Sequence, residues 1–206
     1  MKNSFFFFFI MLAVQGFAQE FKTASNSSTI KSAIEKKHQS TNSISAQFTE
    51  KVVSNMFKEP QKGYGNFMFK KENKVRWDKT SAKQLILING ETVKMYENDK
   101  ALNNPTSQKI AKQIQGMMLS MLSGDFLNQK DFSISYEENS KLYRLTLSPK
   151  SPRMTKYIAK IELLFSRSSL LLEEMTFFEK DSQKVHYTFS DIETNVKIDD
   201  SKFNQK

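Results

Sequence analysis

The stretch GNFMFKKENKVRWDK (residues 65–79) contains the only tryptophan of the chain and shows the clearest strand pattern in the sequence. Phe67 and Phe69 alternate with other side chains, and Val75 and Trp77 alternate with charged ones after a short charged turn. An alternation of period two is typical of a strand with one covered face and one solvated face. The stretch therefore predicts two consecutive strands, each with one apolar face.

The same alternation recurs along most of the chain, and turn residues separate its segments. Asn89-Gly90 follows the apolar run 85–88, and this dipeptide is the strongest short hairpin signal that a sequence offers. Val93 and Met95 then belong to the return strand. We predict about eleven strands, at residues 44–48, 67–69, 75–77, 85–88, 93–95, 132–136, 142–147, 157–165, 170–178, 185–189 and 192–198.

A first helix is predicted at residues 29–39, where Ile30 and Ile34 lie at helical spacing. Ser27 or Ser28 can cap its N-terminus, because a serine hydroxyl accepts a hydrogen bond from the free amide groups of the first turn. The segment is therefore a short amphipathic helix at the start of the strand-rich region.

A second helix is predicted at residues 108–122, in the middle of the strand pattern. Gly116 weakens this helix by about 1 kcal/mol relative to alanine, which counts against a role in packing alone. Methionine is flexible and polarizable and suits an apolar surface that adapts to varied partners, although ordinary core packing explains the same residues. The apolar side chains at helical spacing are Ile110, Ile114, Met117, Met118 and Met121.

The number of strands and helices limits the architecture but does not choose it. Two helices cover little of the apolar face of so many antiparallel strands, so the sheet either closes on itself or curls around the helices. Both arrangements are compatible with the pattern. No repeat, linker or low-complexity block divides the strands, and a single domain is predicted.

The N-terminal segment has the pattern of a cleaved secretory signal. A short cationic start precedes ten apolar residues at 5–14, which are too few to span a membrane, and Gly16 and Ala18 are small. We expect cleavage near Ala18, so that residues 1–18 are removed and residues 19–206 form the domain. The chain has no cysteine, which excludes disulfides, thiolate metal sites and a lipid-modified N-terminal cysteine.

The chain is basic, with a formal net charge of +9 from 31 Lys and Arg and 22 Asp and Glu residues. Loss of Lys2 with the leader leaves a charge of +8. The lysines are scattered along the sequence, whereas a nucleic-acid-binding protein clusters them on one helix or arm. Export and this scatter argue against a nucleic-acid partner.

The sequence contains none of the side-chain groupings that catalysis requires. His38, on the polar side of the first helix, and His186, on a late strand, are isolated and do not make a metal site. Gly63 and Gly65 form a lone G-x-G without the third glycine of a dinucleotide loop. We predict a binding protein that is not an enzyme and that has no metal or cofactor.

The order of these features resembles the periplasmic outer-membrane lipoprotein carrier family, LolA. No single segment is specific, but the set keeps the family's order and spacing over nearly the whole mature chain. After the signal and the first helix the matching segments are ISAQFTEKV (44–52), GYGNFMFKKENKVRWD (63–78), LILINGETVKMYEND (85–99), RLTLSPKS (144–151) and YTFSDIETNVKID (187–199).

The resemblance implies an incomplete, curled antiparallel β-barrel of about eleven strands, with helices forming a lid over its open side. It implies a monomeric periplasmic carrier that receives acylated lipoproteins from an ABC-type release complex in the inner membrane. The carrier shields their acyl chains on the way to the outer membrane, where an acceptor is possible.

The resemblance also implies which residues form the site. We expect Lys71 to contribute to lid closure or partner contact, because it occupies the position of a family arginine. Glu72 stands where the family often has proline. We expect Arg76, like Lys71, to contribute to lid closure or partner contact. The expected lipid-binding cavity residues are Phe48, Phe67, Phe69, Val75, Trp77, Leu85, Leu87, Met95, Met117, Met118 and Met121.

Two alternatives remain open at the level of the sequence. LolA-like proteins also occur with lipid biosynthesis systems, so the cargo can be another acylated lipid or a pigment precursor. The other alternative is a lipid-sensing regulator of an envelope stress response, although known sensors of that kind carry a second domain.

Overall fold

The computed structural model describes residues 20–128 and 131–204. The predicted leader at residues 1–18 lies outside these ranges. The backbone of the second helix is described throughout, but the side chains of Ile110 and Ile114 lie outside the description, so the packing predicted for them stays a prediction.

Twelve antiparallel strands form a single sheet in the order β1-β8-β9-β10-β11-β12-β2-β3-β4-β5-β6-β7. The strands are β1 (Lys22–Thr23), β2 (Ser43–Val53), β3 (Gln61–Lys70), β4 (Lys74–Lys79), β5 (Gln84–Asn89), β6 (Thr92–Glu97), β7 (Lys100–Ala101), β8 (Phe132–Glu138), β9 (Leu142–Pro149), β10 (Ile158–Ser166), β11 (Leu172–Glu179) and β12 (Lys184–Thr194). Because β1 and β7 are the two ends of this order and do not pair, the sheet is an open, incomplete barrel.

The curl of the sheet follows from contacts between strands that are not neighbours. The ring of Trp77 on β4 lies 5.2 Å from the ring of Tyr187 on β12, centroid to centroid. Three strand spacings separate β4 from β12, and in a flat sheet that is about 14 Å. The concave face therefore brings the side chains of distant strands together.

Strand β12 differs in detail from the prediction, which placed two strands at 185–189 and 192–198. The chain forms one strand with a register shift between Ser190 and Glu193, where Asp191 has a positive φ of 49°. Such a bulge shifts the alternation of inward and outward side chains by one residue, so the sequence pattern of this single strand predicted two strands. The two-residue edge strands β1 and β7 are too short to leave a pattern.

Helix α1 (Ser27–Ser40) packs on the concave face near one edge of the sheet. Its N-terminus is capped by Asn26, whose side-chain oxygen accepts a hydrogen bond from the Thr29 amide at 3.0 Å. The cap is therefore one residue before Ser27 and two before Ser28, the two serines that were predicted. Ile30 and Ile34 are buried, as their spacing predicted.

Helix α2 (Pro105–Ser123) lies across the open side of the sheet. The Asn104 side chain accepts a hydrogen bond from the Ser107 amide at 2.9 Å, and Pro105 occupies the first turn. The helix ends at Gly124, whose φ of 82° is the left-handed conformation in which glycine commonly terminates helices. A four-residue helix α3 (Pro152–Thr155) precedes β10. In the described part of the chain, no helix has the length and apolarity that crossing a membrane requires.

The buried side chains form two clusters inside the curl. One includes Leu145, Leu147 and Ile161 and lies under α1, and the other includes Phe67 and Val75 and lies under α2. Three partly buried aromatic side chains contact both clusters, namely Trp77, Tyr187 and Phe189. These rings join the two arms of the sheet.

Candidate functional site

Three neighbouring cavities, each partly open to solvent, lie between the concave face of the sheet and helix α2. Their volumes are about 570 Å³ for the large cavity, 220 Å³ for the central cavity and 90 Å³ for the small cavity. Met121 lines all three cavities, and Met117 lines the large and central ones. The flexible side chains of α2 therefore form the partitions of one apolar interior.

The central cavity has walls from both arms of the sheet and a roof from α2. Its polar atoms are few, and its lining is aromatic and sulfur-containing. The lining side chains are Phe67, Trp77 and Ile86 from one arm, Leu172, Met175, Phe177, Tyr187 and Phe189 from the other, and Met117, Met118, Met121 and Leu122 from α2.

The large cavity lies between α2 and the strands β8 and β10. Phe132, Met154 and Ile158 face the helix across it, and the backbone at Gly116 forms part of its roof. A Cβ at Gly116 would meet no atom within 4 Å. Close packing therefore does not require a glycine at this position. A volume of about 570 Å³ is in the usual range of about 300–1,000 Å³ for ligand pockets.

The small cavity lies where α1 and α2 end against each other, and His38 occupies this joint. Its Nδ1 is 3.1 Å from the carbonyl oxygen of Leu122, and its ring stands edge-on to Phe126 at 6.3 Å and Phe165 at 6.4 Å. Burial lowers the pKa of the imidazole, while the bond to the Leu122 carbonyl opposes this. The prediction that His38 lies on a polar helix face is wrong, because the end of α2 covers that face.

A buried polar cluster stands in the wall beside the central cavity. The Tyr187 hydroxyl donates to Glu50 Oε1 at 2.8 Å, and Lys79 forms an ion pair with the same carboxylate. Burial and the negative charge of Glu50 raise the pKa of the tyrosine far above its ordinary value, so the hydroxyl remains a donor. The cluster ties β2, β4 and β12 together.

The G-x-G at residues 63–65 has a packing role next to this cluster. A Cβ at Gly63 would lie 2.9 Å from Glu50 Oε2, and one at Gly65 would lie 2.0 Å from the Asp78 carbonyl oxygen and 2.7 Å from the Phe48 ring. The two glycines therefore leave room for a buried carboxylate and an aromatic ring.

Six of the predicted cavity residues line the cavities. Phe67, Trp77, Met117, Met118 and Met121 line the central one, and Phe69 lines the small one.

Three further predicted residues lie on the same concave side behind the lining. The ring of Phe48 stacks on Trp77 with centroids 4.4 Å apart. Val75 is fully buried, and Met95 pairs with the cavity residue Ile86.

Leu85 and Leu87 do not face the cavity, so the prediction that they line it is wrong. They pair with Asp78 and Arg76, on the outer side of the sheet, whereas Ile86 between them faces inward. Leu87 is 2% exposed because the C-terminal segment covers it with the buried side chain of Phe203. Four consecutive apolar residues at 85–88 hide the alternation, since both faces of β5 are covered.

Lys71 and Arg76 make contacts away from α2. The Lys71 ammonium donates to the Gln39 carbonyl at 2.6 Å, near the end of α1. Arg76 lies on the outer face and donates to Asp78 at 2.9 Å and to the Lys202 carbonyl at 3.2 Å. A role for either residue in lid closure or partner contact stays a proposal.

Sequence reasoning missed the second wall of the cavity. Tyr187 and Phe189 alternate with polar residues on β12, and Met175 and Phe177 alternate on β11, which is the signal that could have found them. Nothing local in the sequence shows that the curl brings these strands opposite Trp77.

The described residues offer little for chemistry or metal binding. No group of three His, Asp or Glu side chains within residues 20–128 and 131–204 could hold a metal ion. His186 lies on the outer face and bonds the hydroxyls of Thr176 at 2.8 Å and Thr188 at 3.2 Å. The arrangement is suited to enclosing apolar chains.

Comparison with known proteins gives consistent matches. The family model described as "Outer membrane lipoprotein carrier protein LolA" matches residues 39–206. An outer-membrane lipoprotein carrier protein of Dechloromonas aromatica is 27% identical over 157 residues, which cover 75% of this chain and 73% of the relative. One from Chromohalobacter salexigens is 24% identical over 168 residues, covering 80% and 77%.

Among solved structures, the crystal structure of a LolA superfamily protein from Nitrosomonas europaea is similar. The match covers 88% of this chain and 99% of that chain, with 12% sequence identity and a TM-score of 0.45.

Proposed function

The chain belongs to the LolA family of outer membrane lipoprotein carrier proteins, and we propose that it binds the acyl chains of lipoproteins beneath helix α2. On this proposal it carries them through the periplasm from the inner membrane to the outer membrane. The observation that carries the proposal is the apolar interior under a roof of methionines.

The physical chemistry of the interior fits this cargo. Burying an acyl chain contributes about 0.8 kcal/mol per CH₂ group, so an apolar cavity binds it without a catalytic group. Aromatic walls give a fixed shape, and flexible methionines let chains of different length fit. No covalent step is needed, which is consistent with a carrier that is not an enzyme.

Transfer requires that the cargo leave as readily as it enters. Met117, Met118 and Met121 contact the sheet through flexible apolar side chains, and lipid can replace these contacts. Polar contacts also hold α2, since Gln115 Nε2 donates to the Gly90 carbonyl at 2.9 Å and His38 Nδ1 lies 3.1 Å from the Leu122 carbonyl. An ABC-type release complex at the inner membrane is the proposed donor, and an outer-membrane acceptor is the proposed recipient.

Native mass spectrometry of the mature protein, purified gently from the periplasm of its own host, tests the cargo directly. We expect a bound triacylated lipoprotein. A free lipid or pigment precursor in its place would contradict the lipoprotein assignment and favour a carrier in lipid biosynthesis.

A charged side chain in the central cavity tests the site. Met118→Glu places a carboxylate in an apolar interior, and we expect it to abolish lipid loading while circular dichroism shows a folded protein. Ser123→Glu adds the same charge at an exposed position of α2 and should load normally. Normal loading of folded Met118→Glu would contradict the cavity assignment.

A further inference from the structure

Large apolar side chains that are exposed to solvent concentrate at one end of the molecule. Met56 is 82% exposed, at the tip of the β2–β3 hairpin. Among the described residues the large hydrophobic side chains that stand out into solvent are Val53, Met56, Phe57, Tyr64 and Tyr157. Exposed apolar side chains do not stabilise the folded protein, and a cluster of them on a surface often marks an interaction site.

The sheet topology places these residues together. Strand β2 ends at Val53, directly opposite Lys184 at the start of β12, and β11 ends on the other side of Lys184. The Tyr157 carbonyl accepts a hydrogen bond from the Lys180 amide at 2.9 Å, so Tyr157 stands next to the β11–β12 turn. Three strand spacings, about 14 Å, separate Tyr157 from Val53. We call this surface, formed by residues 51–64, 156–157 and 178–184, the hairpin end.

The hairpin end is also basic. Lys51 and Lys62 are paired directly across β2 and β3, an arrangement of like charges that destabilises a sheet. Neither lysine has an ion-pair partner among the described residues, and both are exposed. The exposed charges of this surface are Lys51, Lys58, Lys62, Lys156, Lys180 and Lys184, against Glu59 and Asp181.

Lysine ammonium groups lie over aromatic rings of the same surface. The ammonium of Lys184 is 5.2 Å from the ring centre of Phe178, and that of Lys156 is 5.7 Å from the ring centre of Tyr157. Aromatic rings with lysine side chains beside them are typical of the water–lipid boundary, where the ring is partly apolar and the ammonium can meet a headgroup.

We propose that the hairpin end docks on a bilayer that contains anionic phospholipids. Met56 and Phe57 enter the headgroup–acyl boundary, and the surrounding lysines bind the phosphates. A bilayer accepts a protruding apolar tip without matching its shape, whereas a protein partner would need a complementary pocket. Because Tyr157 also lines the large cavity, docking brings the rim of that cavity to the lipid surface.

Docking of the hairpin end on a membrane does not depend on which cargo is carried. A lipoprotein carrier and a carrier of another lipid both gain from contact with a membrane, and vesicle binding is measured without cargo. Failure of the lipoprotein proposal would therefore leave the docking proposal standing, and the reverse is also true.

A single-cysteine probe tests the docking directly, because the chain contains no cysteine. An environment-sensitive fluorophore on Met56→Cys should shift to shorter wavelength with vesicles of phosphatidylglycerol and phosphatidylethanolamine. The same label on Lys197→Cys, an exposed position beyond the other end of β12, should not shift. No shift at the first position, or equal shifts at both, would overturn the proposal.

Vesicle flotation separates the apolar and charged contributions. The Met56→Ser/Phe57→Ser and Lys58→Gln/Lys62→Gln variants should each lower the bound fraction about tenfold on anionic vesicles. The wild-type protein should bind phosphatidylcholine vesicles weakly, and Lys94→Gln/Lys197→Gln, with the same charge change elsewhere, should bind like the wild type. Unchanged binding of the hairpin variants would show that the vesicles bind another surface of the protein and would overturn the proposal.

Discussion

At the scale of single residues, the space around a side chain decides what it contributes. Gly65 and Gly116 are the same residue type in opposite surroundings, one pressed against the β4 backbone and the other facing open space. His38 is isolated in the sequence but joins two helices in the structure. Each position makes a separate prediction.

Replacing each glycine by alanine should change stability in opposite directions. Gly65→Ala forces a methyl group against Asp78 and Phe48, and overpacking of this kind costs about 1–3 kcal/mol. Gly116→Ala meets nothing and should stabilise α2 by about 1 kcal/mol. Thermal unfolding of both variants measures the two shifts, and a stabilised Gly65→Ala would contradict the close approach.

The stability of the folded protein should decrease as pH is lowered, because of His38. Burial lowers the pKa of its imidazole below the ordinary 6.5, so the folded state binds this proton less readily than the unfolded chain. His38 therefore favours folding fully above pH 6.5, and its contribution is lost as pH falls through the lowered pKa.

We expect the melting temperature to be lower at pH 5 than at pH 7, by about 2–4 °C for each kcal/mol lost at this chain length. His38→Gln should reduce the difference, whereas His186→Gln, on the outer face, should keep it. An unchanged difference in His38→Gln would show that other groups are responsible.

At the scale of elements, the lid and the first helix are linked by a short series of contacts. The β3–β4 turn holds α1 through Lys71 and the Gln39 carbonyl, and His38 beside Gln39 reaches the end of α2 at Leu122. A change at the β3–β4 turn can therefore shift the C-terminus of α1 and so affect helix α2, although the turn does not contact α2 directly.

Lys71→Leu should disturb transfer of cargo more than folding. The variant loses a cation from the C-terminal end of α1, where positive charge is favourable. It also loses the hydrogen bond that holds the end of α1 next to His38, which contacts α2. We expect cargo to be trapped or misrouted in a transfer assay, with a melting temperature close to that of the wild type. Lys36→Leu, an exposed lysine of the same helix, is the control, and a wild-type transfer rate in Lys71→Leu would exclude the role.

At the scale of the whole molecule, the interior depends on the curl of an open sheet. Trp77, Tyr187 and Phe189 contact the clusters of both arms, so the central cavity exists only while the arms stay close. The only tryptophan of the chain thereby becomes a reporter of the interior.

Lipid with brominated acyl chains should quench the fluorescence of Trp77, because bromine quenches at close range and Trp77 lines the central cavity. Titration with a monomeric brominated fatty acid should give a saturable loss of intensity. In a Trp77→Phe background, Tyr96→Trp reports from the outer face and should be quenched weakly. Equal quenching at the two positions would place the lipid outside the cavity.

The strands and helices could be predicted because their signals are local. Alternation at residues 65–79, the Asn89-Gly90 turn and the spacing of Ile30 and Ile34 depend on neighbours within a few residues, and each has its counterpart in the structure. Resemblance to a family then supplied the open barrel with its helical lid, which the pattern alone left undecided.

The sequence by itself determined where the longer strands lie, where the chain turns and which helix is rich in methionine. Only the tertiary structure decided that Ile86 faces the cavity while Leu87 is buried outside it, and that His38 is partly buried against the end of α2. The physical reason is that the periodicity of apolar residues depends on the strand or helix that contains them, whereas the burial of a side chain depends on segments far away in sequence. The C-terminal segment that covers Leu87 and the strand β12 that faces Trp77 are of this kind.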